Sequence, residues 1–245
     1  MRRDLRILLF TLAAGAAWGL GSRVPDALAS MATFRIREVE VTGLRYLDRD
    51  RALELLELGP DANLWSDGEG WTTALARHPL VARVELGRRF PGTLVVHVSE
   101  RRPVALVPTP VLEPVDAGGV RLPVDPADVR LDLPVVVPDG PVAPGARLVP
   151  ASARRLLTEV RRLAEADTAF LQRISEVAWR DDGALLARWS EPSVDFLLPP
   201  DAPVERFQEG LTVLADVLAR GTVPDEIDLR FADQVVVRRT DPTRP

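Results

Sequence analysis

Proline sets the first constraint on this chain. Eleven of its 22 prolines lie between Pro103 and Pro150. Proline lacks an amide donor and clashes with the preceding helical turn, so this stretch is restricted to short strands, sheet edges and corners. The charge changes at the same place. Residues 1–33 carry a net +2, residues 34–103 are neutral, and residues 104–245 carry −7. Both shifts put a boundary near residue 103. A chain of 245 residues has room for one large domain or two small ones plus an anchor, and 46% hydrophobic with 27% charged residues suffices to bury a core.

The missing residue types narrow the chemistry. There is no cysteine, which removes disulfide scaffolds, thiol redox centres, Cys-ligated zinc and cysteine nucleophiles. All 31 basic residues are arginine, so Schiff-base and P-loop lysines are excluded. Two histidines leave little for imidazole metal sites, and a net charge of −5 with a pI near 5.2 argues against nucleic-acid binding. No nucleophile elbow, H-E-x-x-H, P-loop or dinucleotide fingerprint occurs. Neither a catalytic, a cofactor-binding nor a metal-ligating constellation is expected. His78, beside Pro79, reads as a cap or surface residue, and His97, between Val96 and Val98, as a half-exposed strand residue. Asp181-Asp182 precede Gly183 between two apolar runs and read as turn residues. Trp18 falls in the amino-terminal apolar run, and Trp65, Trp71, Trp179 and Trp189 read as core-filling residues.

At the amino terminus Arg2, Arg3 and Arg6 precede the uncharged run Ile7 to Gly21. Fifteen residues make about 22 Å of helix at roughly 1.5 Å each, short of a hydrocarbon core of about 30 Å, but Ser22 to Pro25 extend it if Arg23 snorkels. The leading arginines place the start in the cytoplasm and the rest outside. Two readings fit the segment: an uncleaved signal anchor over 7–25 behind a tail over 1–6, or a signal peptide cleaved after Ala27-Leu28-Ala29. Both export the bulk of the chain.

Residues 34–103 read as β-α-α-β-β. Phe34 to Thr42 is a strand with a phase slip between Ile36 and Val39, and Asp48 caps a helix carrying Leu53, Leu55, Leu56 and Leu58, which Gly59-Pro60 ends. Ser66 and Glu69 form a capping-box pattern opening a second helix through Arg77. Ala82, Val84 and Leu86 alternate with Arg83 and Glu85. Pro91-Gly92 suits a type II turn, and Leu94, Val96 and Val98 form the next alternating strand.

Residues 104–240 read as an α+β unit rich in short strands. Runs at 104–107, 111–115, 120–122 and 133–137 precede a helix with Leu156, Leu157, Val160, Leu163 and Ala164 on one face. Strands at 174–179 and 185–189 flank Asp181-Asp182-Gly183, and Val194 to Leu198 follows. A second helix carries Phe207, Leu211, Leu214, Ala215 and Leu218 and stops at Gly221. Ile227 to Phe231 and Gln234 to Arg238 close the unit as strands. The last of them, Gln234-Val235-Val236-Val237-Arg238, has no later partner strand. Its edge is either a template for strand addition or an edge guarded by a loop or by Arg238 and Arg239.

Several strings together resemble the FtsQ/DivIB cell-division family. They are Val41-Thr42-Gly43-Leu44-Arg45, Asn63-Leu64, His78-Pro79-Leu80-Val81, Val84 through Leu94, and Glu100-Arg101-Arg102-Pro103-Val104-Ala105. Their order matches that family's POTRA domain, with Phe90 where Trp is usual and His78-Pro79-Leu80 where P-W or P-Y is common. Val115-Asp116-Ala117-Gly118-Gly119-Val120, Leu133-Pro134-Val135-Val136 and Ile227-Asp228-Leu229-Arg230-Phe231 extend the likeness towards the carboxyl end.

The resemblance implies a bitopic, non-enzymatic division protein, which favours the uncleaved anchor, with a POTRA domain over 34–103 and a β domain over 104–240. It implies FtsB/DivIC-like and FtsL-like partners, recruiters at the POTRA domain, and a place in the inner membrane at the septum with the carboxyl terminus outside. It makes Phe231 a partner contact beside the edge residues Gln234, Val235, Val236, Val237 and Arg238. Asp228 and Arg230 read as a charge pair fixing the strand end. The alternative is a POTRA chaperone or docking module of a secretion or outer-membrane assembly system. Such a module would precede barrel strands of about 9–11 residues, and no such repeat follows residue 103.

Overall fold

The computed structural model describes residues 28–29, 31–109, 111–126, 128–166 and 172–239. The expected tail over 1–6, the expected anchor over 7–25 and Ser30 lie outside them. No helix of the described residues is long and apolar enough to cross a membrane. The chain divides into two compact units, one ending at Glu100 and one beginning at Arg101, and each mixes helices with strands.

The first unit runs β1 (Glu38–Thr42), α1 (Arg49–Leu55), α2 (Glu69–Ala76), β2 (Val81–Arg89) and β3 (Thr93–Glu100). Its sheet has the order β1-β3-β2, with β1 parallel and β2 antiparallel to β3. Leu56, Leu64, Leu75, Leu94, Val96 and Val98 are among its buried residues. Asp48 caps α1 as expected, accepting from the N–H groups of Asp50 at 2.8 Å and Arg51 at 3.2 Å.

Five local readings are corrected in this unit. The strand expected from Phe34 begins at Glu38, behind a 3₁₀ turn at Ala32–Phe34, and the first helix ends at Leu55, which leaves Leu58 outside it. The capping box at Ser66 does not form, because α2 begins at Glu69 and so leaves Glu69 at the first helical position instead of the third. Asp67 takes the Glu69 N–H instead, at 3.0 Å. The alternation in β2 breaks at Ala82, which is exposed. The register jumps from Val81↔Glu100 to Arg83↔Ser99, so Ala82 is the extra residue of a β-bulge and Val81 is the buried one. The Pro91-Gly92 turn is not type II: the Phe90–Pro91 peptide is cis and Gly92 does not have positive φ.

The second unit contains β4 (Ala105–Pro108), β5 (Leu112–Val115), β6 (Val135–Val137), α3 (Ala151–Ala166), β7 (Ile174–Trp179), β8 (Leu185–Trp189), β9 (Val194–Leu198), α4 (Val204–Ala219), β10 (Glu226–Asp228) and β11 (Val236–Arg238). Its eight strands lie in the order β11-β10-β9-β8-β7-β6-β4-β5. The register puts Val136, Val177, Ala187, Phe196, Ile227 and Val237 in one row across the sheet. Its buried members share a core with Leu156, Leu157, Val160 and Leu163 of α3 and with Phe207 and Leu214 of α4. Both helices therefore bury their apolar stripes on the same face of the sheet. Phe196 and Phe207 join strand to helix, with ring centroids 4.8 Å apart. Gly221 ends α4 at φ +75, and Gly183 turns the β7–β8 hairpin at φ +81.

The expected strand at 120–122 makes only isolated bridges, Val115↔Arg121 and Val120↔Leu148. The two last strands are shorter than expected. Leu229 N–H still donates to the Leu197 carbonyl at 2.8 Å, but the Arg230 amide turns to the Asp228 carboxylate at 3.1 Å. This side-chain turn takes the chain out of the ladder. Phe231, Gln234 and Val235 therefore lie in the connection and not in a strand.

Candidate functional site

The site grows from the end of the sheet. Among the described residues β11 has one neighbour, β10, through Glu226↔Arg238, Ile227↔Val237 and Asp228↔Val236. The Arg238 carbonyl faces β10, accepting from Asp225 N–H at 3.1 Å. Backbone groups alternate sides along a strand, so Val237 turns its N–H and C=O away from β10, towards the open edge. Val237 is 39% exposed and Phe231 42% exposed. Val235 packs against the core.

The connection between β10 and β11 is held from below by Arg206 of α4. Its guanidinium donates to the carbonyls of Leu229 at 3.0 Å, Gln234 at 2.6 Å and Phe231. Phe231 and Gln234, both expected at the site, are thus brought to one cation. Arg206 itself was not singled out from the sequence. Only the fold places α4 beneath this loop.

Asp228 anchors the other side of the loop. Its side chain is fully buried and accepts from Arg230 Nε at 2.9 Å and Nη2 at 2.7 Å, with Arg238 Nη2 at 3.4 Å. The Arg230 bonds hold the Asp228 carboxyl below its ordinary value against the opposing effect of burial. The same contacts push the Arg230 guanidinium up. Arg230 also reaches Asp182 at 2.6 Å. The Asp182 carboxyl is lowered in turn, first by the Ala184 N–H it accepts and then by Arg230 and Arg180. The reading of Asp228 and Arg230 as a pair fixing the strand end fits this geometry.

The face of the sheet opposite α3 and α4 carries two rows that end at this edge. One runs Val137, Ala178, Leu186, Leu197, Asp228, Val236. The next runs Val135, Glu176, Arg188, Asp195, Glu226, Arg238. In the second row Arg188 bridges Glu176 at 2.9 Å and Asp195 at 2.7 Å, and Arg238 bonds Glu226. The Asp195 bond, before the two charges, raises the Arg188 guanidinium above its ordinary value. A segment added to β11 would find Val236 and Arg238 on this face and Val237 on the other.

The other singled-out residues lie elsewhere. His78 Nδ1 accepts from Leu80 N–H at 3.3 Å, and His97 Nδ1 meets Thr42 Oγ1 at 2.8 Å on the exposed sheet surface. Trp189 is buried, whereas Trp65, Trp71 and Trp179 are only half-buried. Trp65 is not a core residue. Its ring meets Phe34 edge-on and Phe90 at a tilt, because the chain entering β1 and the β2–β3 turn meet there.

The family model for the FtsQ-type POTRA domain matches residues 34–101. Curated relatives carry the name cell division protein FtsQ. The one from Myxococcus fulvus is 34% identical over 167 residues, 67% of this chain and 57% of its own length. The one from an Anaeromyxobacter species is 39% identical over 151 residues, 56% of this chain and 46% of its own. That from Geotalea daltonii is 25% identical over 223 residues, 86% of this chain and 78% of its own. The chain belongs to the FtsQ family. It spans about half the length of the first two relatives.

The strings that carry the FtsQ likeness have physical jobs in this fold. Gly43 has φ +85, and a Cβ there would sit 2.0 Å from the Val98 carbonyl oxygen. Buried Asn63 donates to the Met31 carbonyl at 2.9 Å and accepts from Trp65 N–H at 3.0 Å. Glu100 accepts from the N–H groups of Tyr46 and Leu47 at 2.8 and 2.9 Å. Asp116 takes the amides of Gly118 and Val120 on one oxygen and Arg101 on the other.

Proposed function

We propose that the chain is a non-enzymatic cell-division scaffold that works by position. Residues 7–25 anchor it in the inner membrane, with residues 1–6 in the cytoplasm and the carboxyl terminus outside, at the septum. The POTRA domain over 34–103 docks other division proteins. The β domain over 104–240 captures an FtsB/DivIC-like segment as an added strand on β11, and through it an FtsL-like protein and septal peptidoglycan synthesis. The observation that carries this reading is the open edge of β11 in an FtsQ-family chain. Phe231, Gln234, Val235, Val236, Val237 and Arg238 form the proposed contact, with Val237 supplying the outward amide and Phe231 an exposed aromatic beside it.

Strand addition depends on backbone donors, so proline and alanine at one position separate backbone from side chain. The test is a pull-down of an FtsB-like coiled-coil-plus-strand segment by the full chain in mild detergent. Val237→Pro is expected to abolish capture and Val237→Ala to retain most of it. Capture by Val237→Pro at the wild-type level would overturn the edge-strand reading.

A further inference from the structure

Apart from the β11 edge, the first unit carries an aromatic patch that its core does not use. Phe34, Trp65 and Phe90 form a closed triangle, with ring centroids 6.2 Å (Phe34–Trp65), 5.7 Å (Phe34–Phe90) and 5.7 Å (Trp65–Phe90) apart. Phe90 is 53% exposed and Met31 47% exposed. The Arg88 guanidinium lies 5.8 Å from the Trp65 ring centroid. Arg37 reaches the same turn, since its side chain lies against Gly92. Arg35 and Arg89 are paired with Asp61 and Glu40, whereas Arg37 and Arg88 have no carboxylate partner among the described residues. The patch is thus apolar at its centre and positive at its rim.

Its place on the chain says what it faces. Phe34 follows Pro25 by nine residues. At 3.3–3.6 Å per residue the connection spans at most roughly 30 Å, and the 3₁₀ turn at Ala32–Phe34 shortens it. The end of this connection is fastened to the unit. Asn63 holds the Met31 carbonyl at 2.9 Å, and Leu64 N–H donates to the Phe34 carbonyl at 2.9 Å. The patch therefore sits where the tether enters.

We infer that the Phe34–Trp65–Phe90 patch, with Arg37 and Arg88, rests on the anionic surface of the membrane that holds the anchor. This rests on the reading of residues 7–25 as that anchor. Aromatic rings prefer the headgroup level of a bilayer, and arginines beside them add attraction to anionic lipid. Contact at this pole would fix the orientation of the first unit at the membrane, where a tether alone would let it turn.

The absence of cysteine makes the test direct. Phe90→Cys and Ser99→Cys each provide a single labelling site in the full chain. Ser99 lies at the other end of β3, about 20 Å from Thr93 at roughly 3.3 Å per residue. Each variant, labelled with an environment-sensitive fluorophore, is reconstituted in phosphatidylcholine vesicles with and without phosphatidylglycerol. The expected result is a blue shift and quenching by headgroup-level spin-labelled lipid at position 90, stronger with phosphatidylglycerol, and an aqueous signal at 99. Adding Arg37→Glu and Arg88→Glu should remove the phosphatidylglycerol effect.

An aqueous signal at position 90, in protein that stays in the vesicles after an alkaline wash, would overturn the proposal and leave the anchor standing. It would also point to a protein partner for the patch. Protein that washes off would overturn the anchor reading and the proposal with it.

Discussion

The guanidinium of Arg206 on α4 meets the carbonyl of Gln234 at 2.6 Å, and the same group holds Leu229 and Phe231. One side chain thus positions the loop that delivers β11 to the sheet edge. Arg206 is largely buried, and Arg206→Ala would remove the charged donor from all three carbonyls, which costs about 1.5–3 kcal/mol. Hydrogen exchange at the Val236 and Arg238 amides, which face β10, should quicken in Arg206→Ala, while exchange in the first unit stays unchanged. Arg206→Lys should recover little, because an ammonium cannot reach several carbonyls with the planar fork of a guanidinium.

Asp228 gives the edge a pH dependence. Its folded pKa lies below the ordinary 3.8, through the Arg230 bonds first. A depressed carboxylate stabilises the fold fully above its unfolded pKa, and this contribution disappears as pH falls through the folded value. Denaturant melts of the full chain from about pH 5 to pH 2 should therefore show stability falling below about pH 4. Asp228→Asn should be less stable at neutral pH by about 1.5–3 kcal/mol, and its acid slope should be shallower. Parallel slopes for the two proteins would mean that other carboxylates carry the effect.

Gly43 tests the first unit separately. Its φ of +85 alone costs a residue with a side chain about 1–3 kcal/mol, and a Cβ would also collide with the Val98 carbonyl oxygen at 2.0 Å. The obstacle is strand backbone, which cannot step aside as a flexible side chain can. Gly43→Ala is expected to destabilise the first unit by more than about 2 kcal/mol, read as early loss of its amide protection. A melting curve unchanged from wild type would contradict this.

The features that could be read in the sequence are those set by local chemistry. The Asp48 cap, the Gly183 hairpin, the Gly221 helix stop and the apolar faces of α3 and α4 depend on neighbours within a few residues, and all are observed except that Ala215, read on the α4 face, is exposed. The bulge at Ala82 could not be read, because strict alternation in β2 carries no sign of an extra residue. The row Glu176, Arg188, Asp195, Glu226, Arg238 needs the register of five strands, and its members are spread over 63 positions from Glu176 to Arg238. The early end of β10 and late start of β11 leave no mark in the sequence, because Ile227 to Phe231 and Gln234 to Arg238 have β-type composition throughout. The turn that ends β10 depends on an Arg230 amide choosing the Asp228 carboxylate over the ladder. Arg206 was invisible for a related reason: it lies 28 positions from Gln234 on a helix whose surface is full of charges.

Gly210 sits inside α4, where alanine would be preferred by about 0.8–1 kcal/mol on helix propensity alone. Its surroundings oppose that gain. A Cβ at this position would lie 2.7 Å from Leu229 Cδ1 and 3.1 Å from Phe196 Cε1, both in fully packed side chains. Forcing an extra methyl into such a core costs about 1–3 kcal/mol, so Gly210→Ala should be destabilising on balance. Leu229 stands between Asp228 and Arg230, so relief of the clash would also disturb the loop that leads to β11. Leu229→Val shortens the obstructing side chain and should restore part of the stability in the double variant, although it is destabilising alone. Thermal melts of the four proteins form a double-mutant cycle, and the two changes should be coupled by at least about 0.5 kcal/mol. Simple additivity would show that α4 shifts as a body to accept the methyl, and that the close approach of Gly210 to Leu229 is not what holds the loop in place.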